Sequence, residues 1–213
     1  MTTSETMTKI AKTHRRRKDA RPGEIIEAAL FEFNEKGFGR STLAGIAKHA
    51  GISRTTIYLY FTTKEAILEA AIRGSVEQTI DGVHEIASNA DGDFRTLFSA
   101  VLDLIYAQLV EGGASTILKI LVAEGQTMPE LVAVYRREIL SKGEKAMEAL
   151  IERGIASGEL SLSCRNDDVR LYLAPSVFAS LWQRVFHQVD PLDLTAFKNA
   201  HMDLVVSGLL ARE

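Results

Sequence analysis

Between Thr42 and Lys64 the chain gathers side chains that donate hydrogen bonds without attacking anything: Thr42, Ser53, Arg54, Thr55, Thr56, Tyr58, Tyr60 and Lys64. Hydroxyls, one guanidinium and one ammonium at this density suit phosphate oxygens and the polar edges of bases. The groups needed for covalent or metal chemistry are not arranged for it. The five histidines, His14, His49, His84, His187 and His201, include no pair spaced four apart, and there is no H-E-x-x-H. No G-x-S-x-G elbow, no G-x-x-x-x-G-K and no G-x-G-x-x-G occurs. Carboxylates along Arg136–Arg153 alternate with Lys and Arg, as on a solvated helix face. The sequence therefore predicts no enzyme, no metal site and no cofactor.

The donors need elements to hold them. Residues 1–21, rich in Thr, Lys and Arg, read as a flexible basic arm. Pro22 suits a first helical position, and Ile26, Ala29, Leu30 and Phe33 mark one apolar helix face that ends at Gly37. Thr42 can cap a short helix over Leu43–His49 with Leu43, Ile46 and Ala47 inward. Gly51 supplies the turn, and Ser53 caps a third helix over Arg54–Phe61 with Ile57 and Phe61 inward. Thr63 caps a long helix to Ser88. Two short helices across a glycine turn form a helix-turn-helix, whose second helix enters the DNA major groove N-terminal end first. Arg54 is then placed for a bidentate contact to guanine, and Thr55 and Thr56 for thymine or phosphate. Tyr58, Tyr60, Thr42 and Lys64 are expected on phosphates, with three helix N-termini as an anion cradle.

Charge distribution points the same way. The net charge of -3 is ordinary, but Met1–Lys64 holds twelve Lys and Arg against six Asp and Glu. A basic end on an acidic body predicts a polyanionic partner for that end. The arm is expected along a minor groove or over phosphates, or else to give only diffuse attraction. One cysteine, Cys164, excludes an intramolecular disulfide and fits a reducing compartment. No apolar run reaches the length of a membrane span, and the polar N-terminus is no secretory signal, so a cytoplasmic protein is expected.

The segment Thr42–Leu68, TLAGIAKHAGISRTTIYLYFTTKEAIL, resembles the DNA-binding region of TetR-type (TetR/AcrR) transcriptional regulators. The pattern is carried by Thr42, Ile46-Ala47, Ala50-Gly51-Ile52-Ser53, Tyr58-Leu59-Tyr60-Phe61 and Lys64-Glu65, and the likeness covers about residues 23 to 70. Thr55 stands where glycine is common in that family, and Leu59 where a polar or aromatic residue is common. The resemblance implies an all-α fold: a helix-turn-helix domain at 22–65, joined by a long helix to a larger helical domain at 66–213 for ligand binding and dimerisation. It implies sequence-specific binding to a palindromic duplex operator, most often as a repressor.

Further helices are expected at 93–111, 114–126, 129–157, 167–188 and 193–212, with Glu159–Cys164 as an extended connector. The resemblance implies a homodimer through roughly 167–212, where Phe178, Leu181, Trp182, Val185 and Phe186 make a wide apolar face. It also implies a cavity for a small-molecule effector, with Phe98, Leu102, Tyr106, Met128, Tyr135, Phe178 and Trp182 as candidate lining residues. Ligand binding would shift the dimer to a state whose heads are wrongly spaced for DNA. The rival reading is a helical ligand-binding or scaffold protein that does not bind DNA.

Overall fold

The computed structural model describes residues 22–89 and 91–209, so the basic arm and the last four residues lie outside the described residues. The described residues form ten α-helices with short π and 3-10 turns beside some of them, and the chain divides into two compact units, Met1–Ala71 and Ile72–Glu213.

In the first unit, helix α1 spans residues 22–36 and stops at Gly37, whose φ of 81° admits no ordinary side chain. The Gly37 N–H donates to the Phe33 carbonyl at 2.9 Å, closing the last turn. The buried face of α1 is Ile25, Ala29, Glu32 and Phe33, not the expected row of Ile26, Ala29, Leu30 and Phe33; Ile26 and Leu30 are only half-buried. The helix is rotated because Glu32 is taken inward. Its carboxylate meets Lys36 Nζ at 2.7 Å through one oxygen. The other oxygen lies 2.7 Å from His49 Nδ1 but has no aligned hydrogen-bond partner among the described residues. Gly45 makes the room: a Cβ there would come within 2.2 Å of Glu32 Oε1.

Helix α2 (Leu43–His49) begins where Thr42 Oγ1 accepts the Gly45 N–H at 3.1 Å. Gly51, at φ 64°, turns the chain into α3 (Arg54–Tyr58). That helix is shorter than expected. Leu59 N and Tyr60 N donate to the carbonyls three residues back, so the last turn tightens and the helix ends before Phe61. Thr63 Oγ1 then accepts the Ala66 N–H at 3.0 Å and opens α4 (Lys64–Asn89), 26 residues or about 39 Å long. Ile46, Ala47, Ile57, Ile67 and Leu68 close the small core with Phe33 and Phe38, whose rings meet edge-on at 5.0 Å.

The second unit continues with α5 (Phe94–Tyr106), α6 (Ala114–Glu124), α7 (Pro129–Tyr135), α8 (Ser141–Ala156), α9 (Arg170–Phe186) and α10 (Leu194–Leu209). Two of the expected long helices contain π turns, at Ala107–Glu111 and Arg136–Leu140. Serine hydroxyls take carbonyls in both: Ser180 Oγ donates to Leu109 O at 2.6 Å and Ser141 Oγ to Arg136 O at 2.9 Å. The expected extended connector is instead a 3-10 turn over Leu162–Asn166, tied to the end of α10 by Ser161 N donating to Leu209 O at 3.1 Å. Cys164 is buried beside it.

The core of this unit runs through Phe98, Val101, Leu102, Met147, Leu150, Ala179 and Val206. One polar cluster crosses it. Buried His201 donates from Nε2 to the Tyr172 carbonyl at 2.8 Å, and its Nδ1 lies 3.1 Å from the Tyr106 hydroxyl, placed to accept its proton. That pairing requires the neutral ring. Burial also holds the His201 pKa below its ordinary 6.5. A base whose folded pKa is depressed stabilises the fold above the unfolded pKa and loses that contribution as pH falls below it. Urea midpoints are therefore expected to fall as pH drops from about 7 toward 5, and less steeply in His201→Gln. An identical pH slope in both proteins would exclude His201 as the source.

Candidate nucleic-acid interface and ligand cavity

The Ser53 cap organises the exposed end of α3. Ser53 Oγ accepts the Thr56 N–H at 3.0 Å and lies 2.8 Å from Thr56 Oγ1, so the Ser53 and Thr56 hydroxyls are engaged with each other. Arg54 and Thr55, the first two residues of the helix, are exposed. Tyr58 is 57% exposed at its far end, and Tyr60 is half-buried. Among the described residues, the side chains of Arg54, Thr55, Tyr58 and Tyr60 form no hydrogen bond or ion pair. Leu59 is 77% exposed beside them, an apolar surface residue that the inward-facing pattern did not mark.

Thr42 is exposed and caps α2. Lys64 has acquired structural partners. Its Nζ donates to Phe38 O at 2.7 Å and Gly39 O at 3.1 Å, and it stands 4.5 Å over the Phe38 ring. An ammonium has three donors, so Lys64 ties the turn after α1 to the start of α4 with one N–H left over. From Thr42 to Thr63 the chain carries Lys48 and Arg54 and no Asp or Glu. Among the described residues the carboxylates of this unit lie on α1 and α4, and much of the positive excess read from the sequence belongs to residues 1–21, outside the described residues. The result is a polar, carboxylate-free strip that presents an unpaired guanidinium and phenols.

Within the second unit lies a cavity of about 430 Å³. Its walls are mainly apolar, with Val83 from α4, Val101 and Ile105 from α5, Met147 from α8, and Leu173 and Val177 from α9. Both π turns face it, through Gln108 and Leu109 and through Ile139 and Leu140. Of the seven residues expected to line a cavity, Tyr135 does so. Phe98, Leu102 and Tyr106 are packed into the core instead. Phe178 and Trp182 join an aromatic row with Phe186 and Phe197, and the Trp182 indole N–H donates to Asp190 O at 2.9 Å. Met128 is half-buried at the entry to α7 and also lies apart from the cavity. Large side chains at helical spacing mark apolar faces, but they do not distinguish a filled core from a lined void. Among the described residues no group of three or more His, Cys, Asp or Glu is placed to hold a metal ion, and no single helix is long and apolar enough to cross a membrane.

Residues 25–71 match the model of bacterial regulatory proteins of the tetR family, and residues 89–202 match that of the tetracyclin repressor-like C-terminal domain. The fatty acid metabolism regulator protein of Bacillus subtilis is 30% identical over 190 residues, spanning 87% of this chain and 94% of its own length. The crystal structure of FadR from Bacillus subtilis in complex with stearoyl-CoA superposes with a TM-score of 0.69 at 26% identity, over 87% of this chain and 97% of that one. The fatty acid degradation regulator FadR from Bacillus halodurans has the same fold, with a TM-score of 0.73 at 24% identity over 90% and 97% of the two chains. Both units match in chain order, and the exposed donors lie in the first. The chain belongs to the tetR family of bacterial regulatory proteins and is a DNA-binding transcriptional regulator, not an enzyme.

Proposed function

We propose that this regulator is a cytoplasmic repressor that grips a palindromic operator as a homodimer and is released by a long-chain acyl-CoA. The observation that carries the reading is the carboxylate-free strip from Thr42 to Thr63 with Arg54, Thr55, Tyr58 and Tyr60 unpaired on it. Arg54 reads a guanine, and Thr55 packs on or donates to the neighbouring base. Thr56 and Ser53 hold the helix start in place, the Thr56 N–H being taken by Ser53 Oγ, and leave the Arg54 and Thr55 N–H groups for a phosphate. Tyr58, Tyr60, Thr42 and the free N–H of Lys64 engage phosphates on either side.

The homodimer is supported by the outer faces of α9 and α10, where Leu171, Phe178, Val185, Phe186 and Leu204 stay between 40% and 72% exposed. That much exposed apolar surface on two neighbouring helices suits burial against a second copy. The acyl-CoA effector is supported by the apolar cavity and by the stearoyl-CoA complex of the similar Bacillus subtilis FadR.

The test is a band shift on genomic fragments selected by the full chain, at two salt concentrations, with and without stearoyl-CoA. If six or more phosphates are neutralised, affinity should drop about a thousandfold or more between roughly 50 and 200 mM salt. Stearoyl-CoA should abolish the shift. A shift insensitive to salt would remove the phosphate-gripping roles, and a complex untouched by stearoyl-CoA would remove the effector.

A further inference from the structure

We infer that the cavity seats one uncharged carbonyl oxygen of its ligand against the Tyr135 hydroxyl, with the ligand's apolar chain along the remaining walls. The inference rests on the effector reading above and deepens it. Tyr135 is the last residue of α7, is 9% exposed and lines the cavity. Among the described residues, none accepts a hydrogen bond from its hydroxyl. Burial raises its pKa, so the proton stays on the oxygen and remains available to donate. The oxygen is not sealed from solvent, so the open cavity leaves it hydrated; an apolar ligand that displaces that solvent would strand the donor, and a ligand oxygen at that place avoids the cost.

The charged residues of the lining decide what kind of oxygen fits. Arg170 is committed to Asp168, with Nε donating to Oδ1 at 2.8 Å. Glu144 is committed to Arg136 Nη2 at 2.9 Å. No uncommitted cation therefore lines the cavity among the described residues. A ligand carboxylate at Tyr135 would lose its water without gaining a counter-charge, which a neutral carbonyl avoids. A fully saturated hydrocarbon would leave the phenol unsatisfied. The chemistry that fits both the apolar walls and the lone donor is an acyl chain joined through a thioester, ester or ketone carbonyl.

Two probes isolate that oxygen: stearoyl-CoA, and S-octadecyl-CoA, the thioether in which a methylene replaces the carbonyl. Calorimetry on the full chain should show the thioester bound about threefold to tenfold more tightly, the range of one net hydrogen bond. Tyr135→Phe should bind the thioether as the parent does and lose the preference; because it removes only an unpartnered hydroxyl, its melting transition should be unchanged. A preference that survives in Tyr135→Phe, or is absent from the parent, overturns the inference. Ile139→Trp, which fills the cavity from the second π turn, should weaken both probes together. If it weakens neither, the ligand sits elsewhere and the inference fails, while release of DNA by stearoyl-CoA would still uphold the regulatory reading. Binding of neither probe by the parent overturns both.

Discussion

Arg54→Ala should flatten base preference at one symmetric pair of operator positions by about 1–3 kcal/mol per half-site, the usual range for losing a bidentate contact to guanine. Arg54 is exposed at the first position of α3 and has no partner among the described residues, so its removal leaves nothing there buried and unpaired. The fold should therefore be unaffected, and the loss should appear only when operator variants are compared. Competition binding with single-base-pair operator variants measures it directly. The contrast lies with the phosphate donors. Tyr58→Phe should weaken all duplexes alike and leave the melting temperature unchanged, because the Tyr58 hydroxyl bonds nothing among the described residues. Lys64→Ala should also weaken all duplexes alike, and it should lower stability as well, since the Phe38 and Gly39 carbonyls lose their donor. An Arg54→Ala protein with an unchanged ranking of operator variants would remove the guanine assignment.

Phe98→Ala should cost about 3–5 kcal/mol in urea unfolding, the range for deleting a large buried aromatic. Phe98 is fully buried, stacks on Phe94 at 5.5 Å and meets the His201 ring edge-on at 6.3 Å. Deleting it opens a void under α5 and α10 and strips packing from the His201 cluster. Ligand preference should not change, because the cavity wall on α5 is formed by Val101 and Ile105 instead. A small stability loss with an altered chain-length preference would return Phe98 to the cavity.

The head was legible because each of its elements is announced by a local signal. Thr42, Ser53 and Thr63 each cap the helix they were expected to open, and Gly37 and Gly51 take the positive φ expected of them. The error in α1 came from a buried charge. Periodicity counts apolar residues, and nothing in α1 reports that Gly45, on another helix, leaves space for the Glu32 carboxylate. The second unit was legible as helices and breaks, but not as a cavity. Its π turns add a residue to a helix without any Gly or Pro within Ala107–Glu111 or Arg136–Leu140, so they look like ordinary helix in sequence. Those turns present Gln108 and Ile139 to the void, and only the three-dimensional phase of the helices separates them from Phe98 or Tyr106. The family resemblance raised the expectation of a ligand site, and the packing shows a cavity and its walls.

The aromatic row on α9 has an optical consequence. Trp182 is the chain's single tryptophan, and its indole is clamped between neighbouring rings and the Asp190 carbonyl. Its emission therefore reports on the outer surface of α9 and not on α2 or α3, which carry no indole. Fluorescence titrations thus come with a built-in chromophore for events in the second unit, with no label to attach and no second tryptophan to subtract.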